Sequence, residues 1–172
     1  MNFQKISWEQ LENDCIMLAK QIDGTKIDEI ISISRGGMVV SRLLSDLLKL
    51  PISHIAIDSY ANLHMEKEPI ITQLSPREFN GERVLLVDDL SDSGKTFLRG
   101  LSYLKELPIA KVFTASLYYK SHAQYIPDFT MQKIDAWIVF PYEIRETRED
   151  IIKSLGKKEG LKKLKELNVS DW

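Results

Sequence analysis

Two adjacent carboxylates follow an apolar segment near the middle of this 172-residue chain. Residues 84–87 form a short apolar run typical of a buried strand, and Asp88 and Asp89 come directly after it. In open α/β sheets, ligands bind outside the carboxyl ends of the strands, where these two acids are expected. Such acids can accept hydrogen bonds from sugar hydroxyls and help to hold a hydrated Mg²⁺. Acids also terminate ordinary strands, so the pair needs the support of its neighbours.

The segment after these acids has the residues of a phosphate-binding loop. Ser93 and Thr96 offer hydroxyl groups, and Gly94 lets backbone N–H groups approach an anion closely because it has no Cβ. The loop leads into a predicted helix, whose N-terminus favours anions. The triplet from Gly94 to Thr96 does not belong to a Walker A loop, because that motif requires a glycine where this chain has Asp89.

A second predicted strand end has features suited to a diphosphate. Residues 27–34, which include four isoleucines, are followed by Arg35, Gly36 and Gly37, and then by a helical segment. A guanidinium beside backbone N–H groups at a helix N-terminus matches the charge and geometry of a diphosphate. Taken alone, the same residues would also fit a tight turn with a solvated arginine.

The elements that position these loops alternate between short apolar strands and amphipathic helices. This order indicates βαβ units and therefore a mostly parallel sheet flanked by helices. Ser7 and Gln10 have the spacing of a capping box at the start of the first helix. We predict helices over residues 8–22, 38–50 and 96–107, and strands over residues 27–34, 52–59, 84–87, 111–117 and 136–140.

Two segments interrupt this alternation. Residues 60–82 are long, polar and without a clear helix, although residues 70–74 can form a small strand. A loop of that length in a compact domain is usually functional, so we interpret it as a small hood beside the site. Residues 153–168 combine lysines with regularly spaced leucines and predict one solvated amphipathic helix in a basic tail over residues 153–172. Glu159 and Glu166 dilute its charge and argue against a nucleic-acid patch.

The composition places limits on partners. A formal net charge of -2 gives no general attraction to nucleic acid or to an anionic membrane surface. Apolar runs are too short for a transmembrane helix, and we expect a cytoplasmic protein of one domain over residues 1–172. The single cysteine, Cys15, lies on the apolar stripe of the first helix and is interpreted as a buried structural thiol.

Together these motifs resemble the PRPP (5-phosphoribosyl 1-diphosphate) binding motif of type I phosphoribosyltransferases, an apolar run followed by two acids and a loop of the Asp-Thr-Gly-Gly-Thr kind. The resemblance covers roughly residues 6–150. It implies that Asp88 and Asp89 bind the ribose hydroxyls of PRPP, directly or through Mg²⁺. It also implies that a loop wraps the 5-phosphate, formed by Asp92, Ser93, Gly94, Lys95 and Thr96.

Asp92 narrows the resemblance to the 6-oxopurine members of the family, such as the bacterial xanthine–guanine and hypoxanthine enzymes. Since the purine attacks through N7 or N9, a nearby carboxylate can accept the N7 proton. We therefore predict that Asp92 is catalytic, and the alternative is an aspartate that only caps the loop. The substrate base would be hypoxanthine, guanine or xanthine, which the residues do not rank.

Other segments resemble further parts of the family's site. Residues 34–37, with Ser34, Arg35, Gly36 and Gly37, are similar to the pyrophosphate loop, which often has a cis peptide at the position of Ser34–Arg35. Lys120 resembles the lysine that donates a hydrogen bond to the purine O6.

Two aromatic segments extend the resemblance. The segment that begins with Trp137 and Ile138 resembles the base-binding strand, where the tryptophan stacks on the purine. Ser59 and Tyr60 resemble the dipeptide that opens the flexible hood, and Lys67 is placed to reach the pyrophosphate when the hood closes.

The resemblance implies a type I phosphoribosyltransferase fold and a Mg²⁺-dependent salvage enzyme that forms a homodimer or homotetramer. The rival hypothesis is a non-catalytic regulator that keeps this fold and binds PRPP or a nucleotide. A regulator would not need a proton acceptor for the purine, so Asp92 favours the enzyme. Turnover of a purine base discriminates between the two hypotheses.

Overall fold

The computed structural model describes residues 2–58, 61–62, 65–66, 68–75 and 78–169. The chain divides into two compact units, of which the larger is Glu12–Asp135 and the smaller joins Met1–Leu11 to Ala136–Trp172. One functional domain over residues 1–172 stays a prediction. The elements in chain order are β1 (Phe3–Lys5), α1 (Trp8–Ile22), β2 (Glu29–Ser34), α2 (Gly37–Leu48), β3 (Ile52–Asp58), β4 (Ala61–Asn62), β5 (Met65–Glu66), β6 (Ile70–Gln73), β7 (Arg83–Val87), β8 (Leu90–Ser91), α3 (Lys95–Leu104), β9 (Lys111–Tyr119), β10 (Phe129–Lys133), β11 (Trp137–Val139), α4 (Ile144–Leu155) and α5 (Lys157–Glu166).

The larger unit is built on a sheet with the strand order β10-β9-β7-β2-β3-β6. Neighbouring strands along this path are parallel except for β6, which runs antiparallel to β3, and the short β8 pairs parallel with β9. In register, Val87 lies between Ser32 and Ala115, so the carboxyl ends of three strands meet at one edge. The predicted mostly parallel sheet flanked by helices is confirmed.

A hydrophobic core fixes α3 on this sheet. Phe97 and Leu104 of α3 are buried, and Gly100 lies between them so close to Leu86 that an added Cβ would be 3.0 Å from its Cδ2. Loss of a buried phenylalanine typically costs about 3–5 kcal/mol, so this packing anchors the phosphate-binding segment at the start of α3. The core consists of Ile31, Ile33, Ile55, Ile57, Phe79, Val84, Leu86, Phe97 and Leu104.

The helix boundaries follow from local signals. The Ser7 Oγ accepts a hydrogen bond of 3.0 Å from the Gln10 backbone N–H, which confirms the predicted cap of α1. Helix α2 ends at Leu48 rather than residue 50, because Lys49 adopts a left-handed conformation with φ 56°. Helix α3 ends at Leu104, three residues before the predicted position 107, and the N–H groups of Glu106 and Leu107 then donate to carbonyls only three residues back, as in tight turns.

The described part of the predicted hood consists of short strands. β4 and β5 pair antiparallel, and β6 confirms the predicted small strand with one residue fewer. Its pairing with β3 joins the hood to the sheet. The predicted hood residues Ser59, Tyr60 and Lys67 lie outside the described residues.

In the smaller unit, β1 and β11 pair parallel, with Phe3 opposite Trp137. The prediction of one helix over residues 153–168 is wrong, because α4 and α5 are separated at Gly156, whose φ of 78° and ψ of 160° are not helical. Gly160 then permits close packing, since a Cβ there would lie 2.8 Å from the Ile152 Cα. Within the described residues, no helix combines the length and the apolar character needed to cross a bilayer.

Candidate active site

Asp88 and Asp89 extend from the carboxyl end of β7 and are almost fully buried, with 8% and 7% of their surface exposed. Their carboxylates converge in front of Gly36. A Cβ at Gly36 would lie 2.8 Å from Asp89 Oδ1 and 3.0 Å from Asp88 Oδ1. The glycine is therefore required by the carboxylates rather than by its own backbone, whose φ and ψ of -51° any residue can adopt.

The predicted pyrophosphate loop lies against the same strand end. A Cβ at Gly37 would be 2.5 Å from the Val87 carbonyl oxygen, so only glycine allows the start of α2 to approach β7 this closely. The peptide between Ser34 and Arg35 is cis, as the resemblance implied. The structure therefore brings the acidic strand end and residues 34–37 together, although they are some fifty residues apart in sequence.

The predicted 5-phosphate loop turns sharply into α3. Gly94 has φ 80°, a conformation that other residues rarely adopt, and its backbone packs against Tyr125. The Ser93 Oγ is 3.4 Å from the Lys95 backbone N–H at the first helical residue. Backbone N–H groups at the start of a ten-residue helix are a suitable site for a phosphate.

A segment not singled out as a unit in the sequence, residues 120–125, runs beside this loop. The Lys120 N–H donates to the Ser91 carbonyl at 3.0 Å, and the Gln124 N–H donates to the Ser93 carbonyl at 2.8 Å. The Ser91 hydroxyl donates to the Tyr125 carbonyl at 2.6 Å. Three hydrogen bonds thus hold the two segments alongside each other.

Lys120 and Asp92 therefore lie on neighbouring segments of the backbone. The Lys120 side chain is buried, and burial lowers its pKa, while the negative charges of Asp92 and Asp135 oppose that shift. Asp92 itself is 63% exposed, and its Oδ1 lies 3.0 Å from the Nε2 atom of His122. A buried cation beside an exposed carboxylate can bind a carbonyl oxygen and accept a proton from the same small ligand. The sequence analysis missed His122, which lies thirty residues from Asp92 and has no local signal.

The acidic pair fits a magnesium ion held jointly with a substrate. Asp88 and Asp89 supply the carboxylate oxygens that Mg²⁺ prefers, and proteins commonly bind it through one or two carboxylates plus substrate oxygens. Within the part of the chain that the structure describes, no group of three or more His, Cys, Asp or Glu forms a metal cage.

Trp137 and Ile138 lie on β11 of the smaller unit, where they pair with Phe3 and Gln4 of β1. Ile138 is 6% exposed and Trp137 is half-buried. Their assignment to purine binding stays a prediction.

Comparison with known proteins identifies the class. Residues 7–147 match the family described as "Phosphoribosyl transferase domain", so the chain belongs to the phosphoribosyltransferase family. The family and fold inferred from the sequence motifs are therefore confirmed.

Three of the similar proteins are purine enzymes by name. The xanthine-guanine phosphoribosyltransferase of Desulfotalea psychrophila is 34% identical and aligns with 80% of this chain and 84% of its own. The solved purine phosphoribosyltransferase of Pyrococcus horikoshii is 31% identical with a TM-score of 0.75, covering 83% of this chain and 94% of that one. The xanthine-guanine-hypoxanthine phosphoribosyltransferase of Helicobacter pylori is 25% identical with a TM-score of 0.74, covering 86% and 98%.

Proposed function

We propose that this protein transfers the 5-phosphoribosyl group of PRPP to a 6-oxopurine, hypoxanthine, guanine or xanthine, in purine salvage. The observation that carries the proposal is that the Lys120 segment is held against the 5-phosphate loop, since the Lys120 N–H donates at 3.0 Å to the carbonyl of Ser91, the residue before Asp92. A 6-oxopurine that carries its proton on N7 presents that proton and the C6 carbonyl oxygen on the same edge of the base. One cation and one carboxylate match these two groups.

PRPP would be held at three places. The carboxylates of Asp88 and Asp89 accept hydrogen bonds from the ribose hydroxyls, and the loop from Asp92 to Thr96 binds the 5-phosphate with its N–H groups. The loop at Arg35 and Gly36 binds the diphosphate. The support for this assignment is the convergence of both acids on Gly36. A ribose bound to the acids would then lie next to a diphosphate bound at Gly36.

The transfer exchanges one bond for another at C1 of the ribose. The bond from C1 to the diphosphate oxygen breaks, and pyrophosphate leaves with the electron pair. The lone pair of the purine N9 forms the new bond to C1, and the Asp92 carboxylate accepts the proton that N7 gives up. The side chain of Lys120 donates a hydrogen bond to O6 and thereby orients the base.

Mg²⁺, when held by Asp88 and Asp89, would neutralise charge on the leaving diphosphate. The hood would exclude water from the sugar cation that develops as the bond breaks. Trp137 would stack on the base, with the main chain of Ile138 at its edge. We also infer a cytoplasmic location and a homodimer or homotetramer.

Incubation with PRPP, Mg²⁺ and each of hypoxanthine, guanine, xanthine, adenine and uracil tests the proposal. We expect nucleotide and pyrophosphate in equal amounts from at least one 6-oxopurine, and little from adenine or uracil. The non-catalytic regulator would bind PRPP or a nucleotide in calorimetry but produce no pyrophosphate with any base. That result would replace the proposed function with its rival, which the names of the similar proteins do not favour.

A further inference from the structure

The contact between His122 and Asp92 is not explained by the stability of the fold. The Nε2 atom of His122 lies 3.0 Å from Asp92 Oδ1, and the two side chains are 65% and 63% exposed. Exposed ion pairs of this kind contribute little to stability, because water screens the charges and both side chains lose conformational freedom. A role for this contact is therefore to be sought in the site that contains Asp92.

The backbone fixes the position of His122 independently of this contact. Its segment is joined to the 5-phosphate loop by the hydrogen bonds at Ser91 and Ser93 described above, and a turn closes it where the Ala123 N–H donates to the Lys120 carbonyl at 3.1 Å. On the other side, the Ser121 N–H donates to Asp135 Oδ1 at 2.8 Å. His122 is thus presented to Asp92 by a braced loop.

The charged groups around this pair define its chemistry. Asp92 faces His122 directly, and the Lys120 ammonium is close enough to both Asp92 and Asp135 for their charges to act on it. An imidazole that donates its Nε2–H to Oδ1 fixes the orientation of the carboxylate and leaves Oδ2 to receive a proton.

We propose that His122 is a positioning residue for Asp92, a role that rests on the proposed function of Asp92 as acceptor of the purine proton. The Nε2–H of His122 holds Oδ1, and Oδ2 is thereby aimed at the purine nitrogen.

Two substitutions test this hydrogen bond. His122→Leu removes the donor, and we expect kcat to fall about tenfold, as for loss of one charge-assisted hydrogen bond, with the Kd for PRPP and the melting temperature unchanged. His122→Gln keeps an N–H donor, so it should restore most of kcat. Arg42→Leu is the control, because it removes an ion pair with Asp46 of similar exposure, and it should leave kcat unchanged.

A double variant tests whether His122 acts through Asp92. If it does, His122→Leu combined with Asp92→Asn is no slower than Asp92→Asn alone, since the group to be positioned is already gone. Wild-type kcat in His122→Leu, or a loss of kcat that glutamine does not restore and that accompanies a lower melting temperature, would overturn the inference. Wild-type kcat in Asp92→Asn would instead show that the catalytic role of Asp92 fails, and the positioning role would fail with it.

Discussion

At the scale of single residues, the account depends most on the carboxylate of Asp92. Asp92→Asn preserves the size of the side chain but removes the basic oxygen, so kcat should fall by about 10²–10⁴. The Kd for PRPP should change little, because the N–H groups and hydroxyls of the loop remain. Single-turnover kinetics and calorimetry on the same variant provide both values. Parallel loss of kcat and PRPP binding would make Asp92 a structural residue of the loop.

The buried amine of Lys120 predicts a dependence on alkaline pH. Because burial lowers its pKa, the ammonium is lost at a lower pH than for an exposed lysine, and kcat/KM for a 6-oxopurine should fall as pH rises through that value. In Lys120→Arg the side chain keeps its charge over the whole pH range, so kcat/KM of the variant should not show this fall at alkaline pH. Ionisation of the purine itself affects both proteins equally. The same fall in kcat/KM at alkaline pH in the wild type and in the variant would show that Lys120 does not take part in base recognition.

At the scale of elements, the turn at Gly94 packs the predicted 5-phosphate loop against residues 120–125. A Cβ at Gly94 would lie 2.5 Å from the backbone nitrogen of Tyr125, and a shift of either backbone would disturb this packing. Gly94→Ala should therefore weaken PRPP binding about tenfold in addition to lowering the melting temperature. Gly24 has a similar φ of 86° with nothing within 4 Å of an added Cβ. Gly24→Ala should carry only the backbone strain, roughly 1–2 kcal/mol, and leave PRPP binding unchanged.

Equal PRPP affinity in the two alanine variants would contradict this account of Gly94. The phosphate site would then depend on the loop's side chains rather than on its close packing against Tyr125.

Elements with a strong local signal were predictable from the sequence. The Ser7 cap and apolar stripe of α1, and the apolar runs of β2 and β7, specify their structures with little help from distant residues. The strands β1 and β10 were missed, because they have only three and five residues, and their pairing with β11 and β9 brings together parts of the chain that no local pattern connects.

The candidate site likewise combines residues that a local motif predicted with residues that only the tertiary structure brings together. Asp88, Asp89 and the loop to Thr96 form one contiguous motif, so their type and spacing could be interpreted directly. The close approach of Gly36 to the acids and of His122 to Asp92 depends on the parallel order of the strands and the course of residues 120–125. Such contacts are properties of the tertiary structure, and the sequence contains no periodicity that predicts them.

At the scale of the whole molecule, one ion pair connects the hood segment with the phosphate loop. The Lys95 Nζ lies 3.6 Å from Oε1 of Glu68, which is 85% exposed. Because Glu68 would compete with a bound 5-phosphate for this ammonium, Glu68→Gln should strengthen PRPP binding, by at most about fivefold for an exposed pair. The melting temperature should not change. Glu78→Gln alters the net charge equally at an exposed position and should leave the Kd unchanged; equal effects from both variants would indicate general charge rather than this contact.

The choice of base tests the central claim most directly. A buried lysine that donates to O6 accepts a 6-oxopurine but meets a donor in the 6-amino group of adenine. When a site is built to hydrogen-bond one group of its substrate, kcat/KM for an analogue that lacks this group is typically lower by about 10⁴. The decisive measurement is the ratio of kcat/KM for the best 6-oxopurine to that for adenine, at saturating PRPP and Mg²⁺. The account predicts a ratio of about 10⁴ in favour of the 6-oxopurine, and a ratio near one, or a preference for adenine, would contradict it.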